Sequence, residues 1–208
     1  HKETVIGAVK DGGGISAAQV SLALMQNHHP VTMISPHKPR VSHFDSDPCW
    51  VTSICLKDFY AEPDLAARRD IITQARQVGS MPPDVLQRLD NSVKDSLIDV
   101  RVDEVATAHI THPGLRLHLR HSGDTLQVDH VLLATGFEKQ RPGGAWLDNA
   151  IHDLDLPLAD DGYPQVDSTL CWSEDLFVMG PFAELEIGPV SRNIIGARLA
   201  ANHIGEVV

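Results

Sequence analysis

A strand, a glycine-rich loop and a helix follow one another at the start of this chain. An apolar run over residues 4–9 leads into Gly12-Gly13-Gly14-Ile15-Ser16-Ala17-Ala18, and a helix-like run follows over residues 16–26. The loop reads Gly-x-Gly-x-x-Ala. One glycine allows the tight turn, and a second lets the backbone approach a pyrophosphate. The small third residue lets helix and strand pack closely. The helix start adds unpaired N–H groups and a partial positive charge for the phosphates. The pattern predicts a dinucleotide site at Gly12, Gly13, Gly14, Ile15 and Ser16. The alternative is a purely structural glycine turn.

Pro30 and then Val31-Thr32-Met33-Ile34 give a second strand and close a βαβ unit. An acidic residue at the end of that strand, about twenty residues past the glycines, accepts bonds from a free ribose 2′-hydroxyl, whereas basic residues accommodate a 2′-phosphate. Here the position is Ser35, followed by His37, Lys38 and Arg40, with no carboxylate before Asp45. Arg and Lys make charge-assisted bonds to a phosphate that a carboxylate would repel. The turn therefore predicts NADP(H) rather than NAD(H), and argues against FAD in this loop. A solvated basic loop is the plain alternative.

A stretch rich in proline and aromatics follows, residues 35–60, long enough to read as a functional loop. Helices are expected over 63–77 and from Pro82-Pro83 to Leu89. Strands are expected over 97–102, 105–111, 115–120 and 125–128, with His112-Pro113-Gly114 as a turn. Val131-Leu132-Leu133-Ala134 reads as a parallel strand buried on both faces. A short buried strand over 176–179 closes at Gly180-Pro181, and Gly188-Pro189 introduces a final helix over 190–204. The expected fold is α/β. It has a Rossmann-like parallel sheet with an antiparallel β-meander, plus a partial second Rossmann-like, FAD-type domain. The expected domains are 1–136 and 137–208.

The formal charge of −11 opposes general nucleic-acid binding. The three cysteines form no Cys-x-x-Cys, and reduced thiols in a cytoplasmic protein are expected. The twelve histidines are scattered, and no metal site is expected. No run of about 18 apolar residues exists, so no membrane partner is expected. The chain opens at His1-Lys2-Glu3, read as a processing or cloning boundary.

The glycine loop with Gln19, Phe44-Asp45-Ser46-Asp47-Pro48 and Ala134-Thr135-Gly136-Phe137 together resemble a two-dinucleotide flavoprotein. So do Gly180-Pro181, the segment Glu184-Leu185-Glu186-Ile187-Gly188-Pro189, and Arg192-Asn193-Ile194-Ile195-Gly196-Ala197. The resemblance is to FAD/NAD(P)-binding oxidoreductases of the flavin-dependent monooxygenase and lysine/ornithine N-hydroxylase type. It implies that Gly12 to Ser16 hold NADPH pyrophosphate, with Ser35, His37, Lys38 and Arg40 around the 2′-phosphate. Ala134, Thr135 and Gly136 would lie at the crossing between two domains. Gly180, Pro189 and the N–H groups of Gly188 and Val190 would face a flavin. Glu184 and Glu186 alternate as if along an extended segment; they read as carboxylates that orient flavin or substrate, or as solvated or capping carboxylates.

Two departures stand out. The chain has one Gly-x-Gly loop rather than two, so FAD binding would need a missing N-terminal half. The chain is then expected to be a fragment, a split protein whose partner chain supplies the FAD half, or a lineage that lost flavin; a homo-oligomer is the other expected partner. Lys10-Asp11 also stands where the family runs an apolar residue into the glycines. Like charges about 4 Å apart cost roughly 1 kcal/mol in water and about 4 kcal/mol at an effective dielectric near 20.

The implied activity is NADPH-dependent reduction of FAD in an oxidoreductase, monooxygenase-like, acting on a small molecule. The alternative is a non-enzymatic NADP(H)-binding or interaction module. A structural remnant that binds neither cofactor is a third reading. No catalytic acid, base or nucleophile stands out.

Overall fold

The computed structural model describes residues 4–7, 13–77, 79–136 and 140–208. In chain order the elements are β1 (Thr4–Gly7), α1 (Ile15–Gln26), β2 (Val31–Ser35), β3 (Arg40–Val41), α2 (Ser53–Ala61), α3 (Leu65–Ala75), β4 (Ser80–Met81), α4 (Pro83–Lys94) and β5 (Ile98–Val102). They continue with β6 (Val105–Ile110), β7 (Leu115–Leu119), β8 (Thr125–Val128), β9 (His130–Leu133), α5 (Gly144–Asp153), β10 (Cys171–Ser173), β11 (Leu176–Phe177), α6 (Glu184–Ile187) and α7 (Ile194–Gly205).

Two compact units divide the chain: His1–Phe44 with Gln77–Phe137, and Asp45–Arg76 with Glu138–Val208. Residues 45–76 group with the C-terminal unit. The apolar faces of α2 and α3 supply Phe59 and Ile72 to a core with Tyr163 and Leu185, a long-range pairing that linear order hides.

In the first unit a parallel sheet runs in the order β5-β2-β1-β9. β2 is central and buried throughout. Its Val31 and Met33 pack with Ala17, Ala18 and Leu22 of α1 and Val85 and Leu89 of α4. Its Ile34 packs instead with Leu117, Leu119 and Val128 of the antiparallel meander β6-β7-β8. Alternate side chains of one strand thus face different layers. β9 pairs in parallel with β1, as expected, but burial on both faces is corrected: β9 is the outermost strand, and Leu133 is 67% exposed.

The meander is tied to the end of β2 by Asp103, whose N–H donates to the Ser35 carbonyl at 2.9 Å. The buried Asp103 carboxylate accepts N–H bonds from Glu104, His121 and Ser122 at 2.7, 2.9 and 2.9 Å. Burial alone would push this carboxyl up. The backbone donors and the Ser122 side chain outweigh it and hold the group well below the usual carboxylate range. A depressed folded pKa gives stability that is present above about pH 4 and is lost as pH falls toward the folded value. Asp103→Asn is expected to melt below the wild type at pH 7, with the gap narrowing below about pH 4. A gap in melting temperature that stays constant down to pH 3 would exclude this account.

In the second unit, Leu170, Trp172, Ala183, Ile187 and Ala200 form the main core. The expected loop over 35–60 carries β3, a 3₁₀ turn (Pro48–Val51) capped by Asp47, and α2 capped by Thr52. The side-chain oxygens of these two caps satisfy N–H groups at the turn and helix starts. Helix α5 buries Leu147 and Ile151. Cys49 and Cys55 form a disulfide with Cα atoms 5.4 Å apart, which corrects the expectation of reduced thiols there. The 3₁₀ turn and the first turn of α2 bring the two sulfurs together. Cys171 is free. Among the described residues no helix is long and apolar enough to cross a membrane.

Candidate functional site

The strands β1, β2 and β9 are parallel, with Gly7, Ile34 and Leu133 level at their carboxyl ends. Three segments follow these ends: the glycine loop, residues 35–40 and residues 134–136. Ligands of open α/β sheets bind at this edge. Gly12, like Lys10 and Asp11, lies outside the described residues. Gly13 is buried at φ +121°, and a Cβ there would stand 2.1 Å from Ser35 Oγ, so no other residue fits without displacement. Gly14 is the N-cap of α1 and brings no side chain to its first turn, where Ile15 and Ser16 are exposed. That arrangement leaves the first-turn N–H groups free of side-chain caps, as an anion site requires.

Ser35 is fully buried, and its hydroxyl donates to the His37 carbonyl at 2.7 Å. This bond shapes the turn, so Ser35 positions the basic segment. His37 Nδ1 lies 2.9 Å from the Lys38 carbonyl. Lys38 and Arg40 are exposed, and among the described residues neither makes an ion pair or a side-chain hydrogen bond. Ala134 is half-buried, while Thr135 and Gly136 are exposed. Gly136, at φ +73°, has open space where a Cβ would be. The structure therefore brings together Gly13, Gly14, Ser35 and His37, with Lys38 and Arg40 displayed beside them. At the opposite edge of the sheet a cavity of about 440 Å³ opens among Thr4, His29, Leu115, His130 and Leu132.

In the second unit, Gly180 is half-buried at φ +62° with nothing near an added Cβ. That leaves an open backbone face. Gly188, Pro189 and Val190 are buried, and the Gly188 N–H donates to the Glu184 carbonyl at 2.9 Å. The expectation that Gly188–Pro189 opens the last helix is thus corrected. Residues 188–193 are turns closed by Ser191 N–H to Gly188 O and Asn193 N–H to Val190 O. The helix starts at Ile194, with the Asn193 side chain accepting from the Gly196 N–H. Gly196 is bare because a Cβ there would meet the Val190 carbonyl oxygen at 2.0 Å.

Glu184 and Glu186 lie on the short helix α6 rather than on an extended segment. Glu184 is 1% exposed and is held between Arg69 and Arg192. Arg192 Nε donates to Glu184 Oε2 at 2.6 Å, and its NH2 group reaches Glu184 Oε1 and the Tyr163 hydroxyl, both at 2.9 Å. Arg69 also binds Asp161, with its guanidinium 4.1 Å from the Tyr163 ring centre. Burial alone would lower both arginines, but the bonds and charge of Glu184 outweigh it and hold them above the usual range. Arg68 pairs with Glu186 at 2.7 Å. The Arg68–Glu186 and Arg69–Glu184 pairs join residues more than a hundred positions apart, and no local spacing signals them. Among the described residues no group of three or more His, Cys, Asp or Glu could hold a metal.

No family model matches the chain, and no curated protein matches it in sequence. Solved structures do. The ornithine hydroxylase PvdA of Pseudomonas aeruginosa matches over 99% of this chain and 52% of its own, at 18% identity and a TM-score of 0.74. The cadaverine monooxygenase DfoA of Erwinia amylovora, bound to FAD, matches over 99% and 51%, at 14% identity and a TM-score of 0.71. The ornithine N-hydroxylase KtzI of Kutzneria sp. 744, with reduced FAD, NADP⁺ and L-ornithine, matches over 99% and 53%, at 17% identity and a TM-score of 0.70. This chain spans about half the length of these enzymes, and throughout that span it has the α/β fold of the N-hydroxylating flavin monooxygenases.

Proposed function

We propose that this chain is the NADP(H)-holding domain, with part of the FAD-holding domain, of a flavoprotein oxidoreductase of the monooxygenase type. The observation that carries the reading is the joint geometry of Gly13, Ser35 and His37. A glycine backbone, bare where a Cβ would strike Ser35, lies beside a turn whose free charges are Lys38 and Arg40. Residues 12–16 hold the pyrophosphate, and Lys38 and Arg40 hold the 2′-phosphate. Thr135 and Gly136 flank the far half of the dinucleotide. A bound flavin supplies hydride acceptance from NADPH and the reaction of its reduced ring with oxygen. In this chain Gly180 leaves an open backbone face for that group, the Gly188 N–H is already bonded to the Glu184 carbonyl, and the rest of the FAD site is supplied by residues outside this sequence. The acceptor is a small molecule, as in the similar enzymes that act on ornithine, lysine and cadaverine.

The test is direct. The protein, supplemented with FAD and, where needed, its remaining half, should turn yellow and oxidise NADPH. NADPH binding without flavin or turnover would favour a non-enzymatic NADP(H)-binding module. Binding of neither cofactor would end the proposal. Charge-assisted bonds contribute about 1.5–3 kcal/mol each when well formed, and each 1.4 kcal/mol is tenfold. The Lys38→Ala/Arg40→Ala variant, which removes two such bonds, is expected to weaken NADPH binding at least about 100-fold, with NADH changed less than about twofold. Equal losses for the two nucleotides would remove these residues from the 2′-phosphate site.

A further inference from the structure

The His37 ring is wedged between two glycines. A Cβ on Gly13 would stand 3.8 Å from its Cε1, and a Cβ on Gly79 would stand 2.9 Å from Nε2 and 3.1 Å from Cε1. Gly79 has φ +75°, and a Cβ on Gly14 would come 3.3 Å from the Gly79 Cα. The glycine loop, the imidazole and the Gly79 backbone are therefore in one packed layer.

A carbonyl can only accept, so His37 Nδ1 carries the proton in its 2.9 Å bond to Lys38. That bond leaves Nε2 beside Gly79. The Ser35 hydroxyl pins the His37 carbonyl, and β3 pairs in parallel with β4, setting Arg40 level with Ser80. The Ser42 N–H donates to the Met81 carbonyl at 3.0 Å, extending that pairing. Residues 35–40 are thus held at three points, and one of them exists only because position 79 has no side chain.

We propose that Gly79 is a specificity-determining position. By leaving room for the His37 ring, it keeps Lys38 and Arg40 where a nucleotide 2′-phosphate is bound. The proposal rests on the NADP(H) reading above. Among the described residues, the atoms that a Gly79 Cβ would meet within 4 Å both belong to His37. A side chain there displaces the imidazole and its bond to Lys38, and its Cβ meets no other described residue within 4 Å.

Calorimetric titration of the full chain with NADP⁺ and with NAD⁺ tests this. Gly79→Ala is paired with Gly79→Asn, because asparagine tolerates positive φ and separates backbone strain from the added Cβ. Both variants are expected to raise the Kd for NADP⁺ at least about tenfold and that for NAD⁺ less than about twofold, a difference of roughly 1.4 kcal/mol or more in discrimination. In a His37→Ala background, where the ring is gone, Gly79→Ala should add less than about twofold to the NADP⁺ Kd. Equal losses for the two nucleotides, no loss, or an undiminished loss in the His37→Ala background would overturn the proposal. Unfolding of both Gly79 variants, seen by circular dichroism, would overturn it too, because the added atom would then disturb more than His37. A wild type that does not prefer NADP⁺ to NAD⁺ overturns the NADP(H) reading itself, and that result is distinct from the others.

Discussion

Glu184→Ala is expected to destabilise the C-terminal unit by about 3–5 kcal/mol, the cost of removing one partner from a buried ion pair. Glu184 is 1% exposed and is the shared counter-ion of Arg69 and Arg192. Removing it leaves the Arg69 and Arg192 guanidiniums, both beside Tyr163, without their shared counter-ion. For a chain of this length the loss corresponds to a fall in melting temperature of roughly 6–20 °C. Glu184→Gln keeps the shape and one acceptor, so its loss should be smaller but of the same sign. Asp161→Ala, whose side chain is 29% exposed, is the comparison. It should cost no more than about 1 kcal/mol, as partly solvated pairs do. Thermal melts of the three variants decide the matter. A Glu184→Ala protein that melts within about 2 °C of the wild type would show that the pair carries no net stability. Replacing Arg69, Glu184 and Arg192 together by apolar residues of similar volume should recover most of the loss, because no buried charge then stands alone.

Gly13→Ala is expected to raise the Kd for NADPH at least about 30-fold. Two costs combine. A non-glycine residue at φ +121° sits in a sparsely populated region, at about 1–3 kcal/mol. The new Cβ would also stand 2.1 Å from Ser35 Oγ and 2.8 Å from Ser35 Cβ, and forcing such overlap costs about 1–3 kcal/mol more. The smallest sum, about 2 kcal/mol, already gives a factor near 30. The displaced atom belongs to the residue that shapes the 2′-phosphate turn, so pyrophosphate and phosphate contacts fail together. Both NADPH and NADH binding should therefore fall, NADPH the more, whereas the variants at Lys38, Arg40 and Gly79 should spare NADH. Gly205→Ala, at the end of α7 with nothing within 4 Å of an added Cβ, should leave nucleotide binding unchanged. Gly13→Ala combined with Ser35→Gly should restore part of the affinity, since the struck side chain is gone. Fluorescence titration with NADPH reads all of these. Full affinity in Gly13→Ala would mean that the glycine loop does not touch the nucleotide.

The first βαβ unit was legible because its signals are local. Helix α1 begins one residue before the expected start, and β2 ends at the residue singled out for the 2′-phosphate turn. The alternation of Leu115, Leu117 and Leu119 was readable in the same way, and these residues do turn inward in the meander. Val131-Leu132-Leu133 misled because an apolar run records composition and not position. At the sheet edge the same residues are left half open to solvent. Glu184 and Glu186 misled in the other direction, since an i, i+2 pair of carboxylates looks solvated until distant arginines are brought against it.

Sequence by itself determined the βαβ opening, the glycine loop, the basic turn after β2 and the meander, all set by neighbours within a few turns of chain. Tertiary structure alone decided that residues 45–76 fold with the C-terminal unit, that Glu184 is a buried counter-ion, and that Gly79 seats His37. Each of these depends on contacts between residues far apart in sequence. Burial and counter-charge are properties of the folded environment, so no reading of spacing along the chain contains them.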